Sequence, residues 1–89
     1  MLCELLSYDR LYLISKEGCI FCSMTEGFLI NNNKEYEVIN YNSRLFYDIN
    51  ECLKISMFPT LIFMYKNSKN NDNIMISVGT PDNSFLEKL

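Results

Sequence analysis

The residues whose types and spacing could do chemistry lie in one short stretch, Lys16-Glu17-Gly18-Cys19-Ile20-Phe21-Cys22. Two cysteines separated by two residues form a dithiol pair when a strand delivers them to the start of a helix. The chemistry of such a pair is thiol–disulfide exchange. It needs a thiolate, and the free amides and dipole of a helix N-terminus stabilise one. Cys19 falls where that field is strongest. Lys16, three residues upstream, adds a positive charge, and Glu17 opposes it locally. Cys22, one turn in, is placed to attack a mixed disulfide formed at Cys19.

That chemistry requires a strand before Lys16 and a helix from about Cys19, and the flanking sequence supplies both. Arg10 to Ser15 carries the run Leu11-Tyr12-Leu13-Ile14, whose unbroken apolar character predicts a strand buried on both faces. A helix is expected from Cys19 to about Ile30, with Phe21, Met24 and Phe28 at spacings of three and four and Asn31-Asn32-Asn33 as its end. Gly27 weakens it by ~1 kcal/mol relative to alanine.

Glu35 to Tyr41 reads as a second strand. Ser43 is a predicted N-cap for a second helix, with Leu45, Ile49, Cys52 and Leu53 as its apolar stripe. Ser56-Met57-Phe58-Pro59 breaks that helix. Thr60–Tyr65 and Ile74–Val78 read as strands joined by the polar turn 66–73, an antiparallel hairpin. Thr80 is the expected cap of a last helix, with Pro81 in its first turn and Phe85, Leu86 and Leu89 on its buried side. Met1–Ser7 is ambiguous; Leu2, Leu5 and Leu6 would share a helix face, but the segment is short. The predicted order is β-α-β-α-β-β-α, an α/β fold with a four-stranded mixed sheet flanked by helices.

Composition narrows the function classes. An 89-residue chain gives one domain, and a hydrophobic content of 48% makes it globular. The net charge of −3 offers no basic footprint for nucleic acid and no polybasic patch for a membrane. Met1 to Leu6 lacks a positive n-region, so no signal peptide is expected. The longest apolar run, Leu61 to Tyr65, is too short to span a bilayer. Four cysteines without a secretion signal favour catalytic thiols in a reducing compartment over two structural disulfides. The chain has no histidine, which removes the usual general base and the commonest metal ligand. Zinc needs four ligands, and beyond Cys19 and Cys22 only the distant singletons Cys3 and Cys52 remain, so no metal is expected. Cys52 is expected on the buried side of the second helix, and Cys3 as a free thiol near the terminus.

The element order, a Cys-x-x-Cys after the first strand and a proline before the third together resemble the thioredoxin fold, and local features look more like glutaredoxins. Lys16 matches the lysine three residues before the first active-site cysteine of that family, and Phe21 its aromatic position before the second. Met57-Phe58-Pro59 lies where glutaredoxins have Thr-Val-Pro, and Gly79-Thr80-Pro81-Asp82 where they have Gly-Gly-x-Asp. The resemblance covers residues 10 to 89. It implies a cis-proline at Pro59 facing the active site, with Phe58 binding the cysteine of glutathione through its backbone. Lys16 and Phe21 would border the groove, and Thr80 and Asp82 would hold the γ-glutamyl end. The departures are Ile20 for the common proline, Met57-Phe58 for Thr-Val, Thr80 for the second glycine, and Pro81, which lacks an N–H.

Each of these residues also has a plain structural account. Lys16 can be read as a solvated loop lysine, Phe21 as a ring exposed at a turn or packed inward, Pro59 as a helix breaker, and Thr80 and Asp82 as cap and first-turn acid. The resemblance implies a monomeric cytoplasmic dithiol oxidoreductase. Glutathione would be its co-substrate, disulfide-bonded or glutathionylated proteins its substrates, and no cofactor would be bound. Two rivals remain: a thioredoxin-like electron donor, for example to a ribonucleotide reductase, recycled by a flavoprotein reductase; and a non-enzymatic module that binds a metal cluster or a partner.

Overall fold

Why the centre of the sheet falls where it does follows from β1, Leu11–Ser15. Its residues alternate between two apolar environments. Leu11 and Leu13 join one buried cluster, and Tyr12 and Ile14 join another on the opposite face. A strand wanted by two cores needs neighbours on both edges, and β1 has them. The computed structural model, which describes residues 4–89, pairs it in parallel with β2 (Glu37–Asn40) and antiparallel with β3 (Thr60–Lys66). A hairpin adds β4 (Asp72–Val78) antiparallel to β3, so the strand order is β2-β1-β3-β4. The fold is α/β, with a four-stranded mixed sheet, three helices and the element order β-α-β-α-β-β-α.

The helices divide between the faces. Leu29 of α1 (Ile20–Asn31) and Phe85 and Leu86 of α3 (Asn83–Glu87) pack with Leu11, Leu13 and Leu61. Ile49 of α2 (Arg44–Leu53) packs on the other side with Tyr12, Ile14, Ile62 and Met64. The two cores thus share the sheet as a common wall.

Helix ends follow local chemistry. Asn33 adopts φ 57°, and the amides of Asn33 and Lys34 close back on the carbonyls of Ile30 and Leu29. This is a Schellman closure, and the asparagine run supplies the left-handed residue it needs. At α2, Ser43 accepts a 3.1 Å hydrogen bond from the Phe46 amide, the cap expected from sequence.

Three expectations about the helices need correction. The buried side of α2 runs through Phe46 and Ile49, with Leu53 packed against the core; Leu45 and Cys52 are exposed, and the Cys52 sulfur is not a free thiol. Cys3 lies outside the described residues, as does Leu2. In α1 the buried residues are Cys22, Thr25 and Leu29, whereas Phe21 and Met24 face outward. Asp82, not Thr80, caps α3: its side chain accepts from the Phe85 amide at 3.0 Å. Residues 4–9, ambiguous from sequence, form turns, with Leu6 buried in the α2-side core and Leu5 exposed. No helix among the described residues is long and apolar enough to cross a membrane.

Candidate active site

β1 ends at Ser15, and the chain turns through Lys16-Glu17-Gly18 into α1. Gly18 sits at φ +72°, a left-handed conformation that a residue with a Cβ resists, so glycine makes the turn possible. Cys19 follows with extended backbone angles as the N-cap of α1, and its sulfur accepts a 3.1 Å hydrogen bond from the Cys22 amide. Caps are ordinarily oxygen side chains that satisfy orphan amides. Here sulfur holds that place, and an acceptor of N–H bonds at a helix start is stabilised as an anion. The Cys19 and Cys22 sulfurs are paired as a disulfide, with the Cα atoms 5.2 Å apart. The two differ in access. Cys22 is 2% exposed, whereas Cys19 is half-buried at the mouth of the turn.

A second wall comes from the segment between α2 and β3. The Phe58-Pro59 peptide bond is cis, and Pro59 is fully buried. Two hydrogen bonds fix this segment. The Thr60 hydroxyl donates to the Met57 carbonyl at 2.7 Å, and the Gly79 amide donates to the Pro59 carbonyl at 2.8 Å. The Phe58 ring is braced by Tyr41 edge-on, centroids 5.8 Å apart, and by Phe46 at 5.9 Å. That bracing anchors the bulky ring on the α2-side core. Lys16 Nζ lies 5.9 Å from the Phe58 centroid, within range of a cation–π attraction.

Between the walls lies a cleft of about 490 Å³, bordered by Cys19, Ile20, Phe21, Met57, Phe58 and the Lys16 side. Ile20 is 74% exposed and Phe21 stands at the rim. The structure therefore brings Lys16, Cys19, Phe21 and Phe58 to one cleft, with Pro59 buried behind it. Thr80 and Asp82 do not border this cleft. Their loop is tied to the cis-proline segment through the Gly79–Pro59 hydrogen bond. The Asp82 carboxylate is engaged by the Ser84 hydroxyl and the Phe85 amide, which hold its pKa below the usual carboxylate value.

Size does not mark this site. A larger hollow of about 600 Å³ lies at the other end of β1, lined by Asp9, Arg10, Lys34 and Glu37. It contains the exposed Arg10–Glu37 ion pair and, among the described residues, no cysteine, whereas the smaller cleft is bordered by Cys19. Sequence reasoning missed Tyr41 and Phe46 as braces of Phe58 and the outward position of Met57. For Phe46 a signal existed: it lies three residues from both Ser43 and Ile49. Among the described residues, no three His, Cys, Asp or Glu side chains cluster as a metal site. Comparison with known proteins found no matching family model, no similar curated protein and no similar solved structure.

Proposed function

We propose that this protein is a thiol–disulfide oxidoreductase of thioredoxin-like fold and glutaredoxin type. The observation that carries the reading is the Cys19 sulfur, at the helix N-cap, accepting the Cys22 amide beside a buried Cys22 partner. In the reduced protein, the Cys19 thiolate attacks one sulfur of a substrate disulfide. A Cys19–substrate bond forms, and the other substrate sulfur leaves as thiolate. Cys22, deprotonated, then attacks the Cys19 sulfur, and the substrate leaves fully reduced, carrying the two electrons that the dithiol gave up in forming the Cys19–Cys22 disulfide. Two glutathione molecules return the protein to the dithiol and leave as glutathione disulfide. With a glutathionylated substrate, Cys19 takes the glutathione sulfur and a second glutathione releases it.

Glutathione is the co-substrate in this reading, with no bound cofactor and no metal. Lys16 would meet its glycine carboxylate, Phe21 and Phe58 would flank it, and Pro59 would hold the Phe58 backbone toward it. Thr80 and Asp82 would take its γ-glutamyl end. Action as a monomer in the cytoplasm, on disulfide-bonded or glutathionylated proteins, belongs to the same proposal. One observation favours the rival reading of a thioredoxin-like donor recycled by a flavoprotein: Asp82 is already engaged as a cap and stands outside the cleft.

The test is reduction of a glutathionylated peptide by glutathione with glutathione reductase, against a thioredoxin reductase alone. Turnover in the glutathione system is expected. Cys19→Ser should abolish it, and Cys22→Ser should retain deglutathionylation. Full deglutathionylation by Cys19→Ser would sink the assignment. Turnover with the flavoprotein alone would keep the dithiol chemistry and transfer the recycling to the rival partner.

A further inference from the structure

Met57 stands between two hollows. On one side it borders the cleft at Cys19. On the other it borders a smaller groove of about 100 Å³, floored by Ile76 and Val78 of β4 and walled by Leu53 and Ile55. Ile76 and Val78 pair with Ile62 and Thr60, so they stand on the α2 side of the sheet. Met57, Ile76 and Val78 are nonetheless 61%, 46% and 55% exposed. This is an apolar track that starts at the reactive sulfur and continues past it.

Charge points to what lies on that track. The cleft is bordered by Lys16 and the groove by Lys54, and neither is lined by an Asp or Glu. The chain as a whole has 11 acids against 8 bases. The track is therefore a cationic strip on an anionic protein, and it suits an apolar occupant that carries an acid. Glutathione has carboxylates but no aliphatic side chain for a groove of this kind. A protein segment has both.

We infer that the favoured substrate is a protein disulfide on an extended segment rich in aliphatic side chains and bearing an acidic residue. It runs from Cys19 across Met57 into the groove at Ile76 and Val78. The inference rests on the redox reading above and names its substrate class. One substrate sulfur bonds to Cys19 as its partner sulfur leaves as thiolate. An aliphatic side chain of the segment fills the groove, and the acid meets Lys54.

The experiment compares a small cyclic peptide disulfide with the same disulfide carrying an aliphatic, acidic arm. The full chain and its Ile76→Ser/Val78→Ser variant are assayed on both. Burial of one aliphatic side chain and one favourable charge contact predicts a kcat/KM about tenfold higher for the armed peptide. The variant should lose that preference and still reduce the armless peptide at the parent rate, which also shows that it is folded. Equal rates for both peptides on the parent, or a variant that keeps the preference, would overturn the inference. A second measurement separates this from the redox reading: anisotropy of a labelled, cysteine-free arm peptide on Cys19→Ser/Cys22→Ser protein. Binding that weakens about tenfold with the added Ile76→Ser/Val78→Ser changes supports the groove. It would do so even if neither disulfide were reduced, an outcome that would overturn the redox reading alone. Absence of binding would overturn the groove.

Discussion

The Thr60 hydroxyl allows stability and activity to be separated. Thr60 is buried at the start of β3, and its hydroxyl donates at 2.7 Å to the carbonyl of Met57, in the wall opposite Cys19. Thr60→Val keeps the shape and exchanges the hydroxyl for a methyl. Losing the hydrogen bond costs about 1 kcal/mol net. The buried methyl returns about 0.8 kcal/mol. Stability should therefore change by only a few tenths of a kcal/mol, and the melting temperature by no more than about 2 °C. The wall, however, loses its tether. If holding it contributes about 1 kcal/mol to the bound transition state, kcat/KM falls about fivefold. Thr60→Ser does the reverse. It keeps the tether and deletes a buried methyl, which costs about 1 kcal/mol and lowers the melting temperature by about 4–8 °C. The assay is a thermal melt of both variants beside glutathionylated-peptide turnover. Parent-like activity in Thr60→Val, or an activity loss in Thr60→Ser as large as in Thr60→Val, would refute the tether.

Two further predictions concern backbone and pH. Gly18→Ala places a Cβ at φ +72° in open space, so the penalty is conformational, about 1–2 kcal/mol, read as a lower melting temperature with Cys19 and Cys22 still present. Acid should weaken the fold through two carboxylates. Asp72 is held down to about 2 by the Tyr8 hydroxyl and then by Lys66, and Asp82 is lowered by the Ser84 hydroxyl and then by the Phe85 amide. A depressed carboxylate contributes stability that is fully present above its unfolded value of 3.8. That contribution drains away as pH falls from there through the folded value, down to about 2 for Asp72. Tyr8 gives the opposite limb: its pKa is raised to about 12, chiefly by Asp72, so its contribution holds below pH 10 and is lost between 10 and 12. Denaturant melts across pH should show the acid loss diminished in Asp72→Asn and the alkaline loss diminished in Tyr8→Phe.

What could be read from the sequence follows the strength of each local signal. β1 was legible because burial on both faces forces an apolar run, and the start of α1 because Cys19 sits between a left-handed glycine and a helical pattern. The rotation of α2 was not. Residues 45, 49 and 52 and residues 46, 49 and 53 both satisfy a helical period around Ile49. The choice between them is made by Phe46 reaching Phe58, a contact between distant parts of the chain. The α3 cap was misplaced for a related reason. Thr80 and Asp82 both suit a cap, and burial of Phe85 and Leu86 against Leu13 and Leu61 selects the one three residues before Phe85. β2 was read too long because, on an edge, only Ile39 is buried and Val38 stays exposed. Of the site, the dithiol and Lys16 were legible as residue types. The braces of Phe58 and the track past Met57 depend on tertiary packing alone.

The strand order also bears on synthesis. A chain extended only to the end of α2 has β1 and β2, a parallel pair that does not stand alone in water. The edge of β1 that β3 will occupy is still bare at that point. Leu13 lacks Leu61 and Ile14 lacks Thr60, so neither core can close until residues 60–66 have left the ribosome. The cysteine pair therefore emerges some forty residues before the wall that will face it. During that interval Cys19 and Cys22 are ordinary thiols on an unfinished polypeptide, open to any passing oxidant.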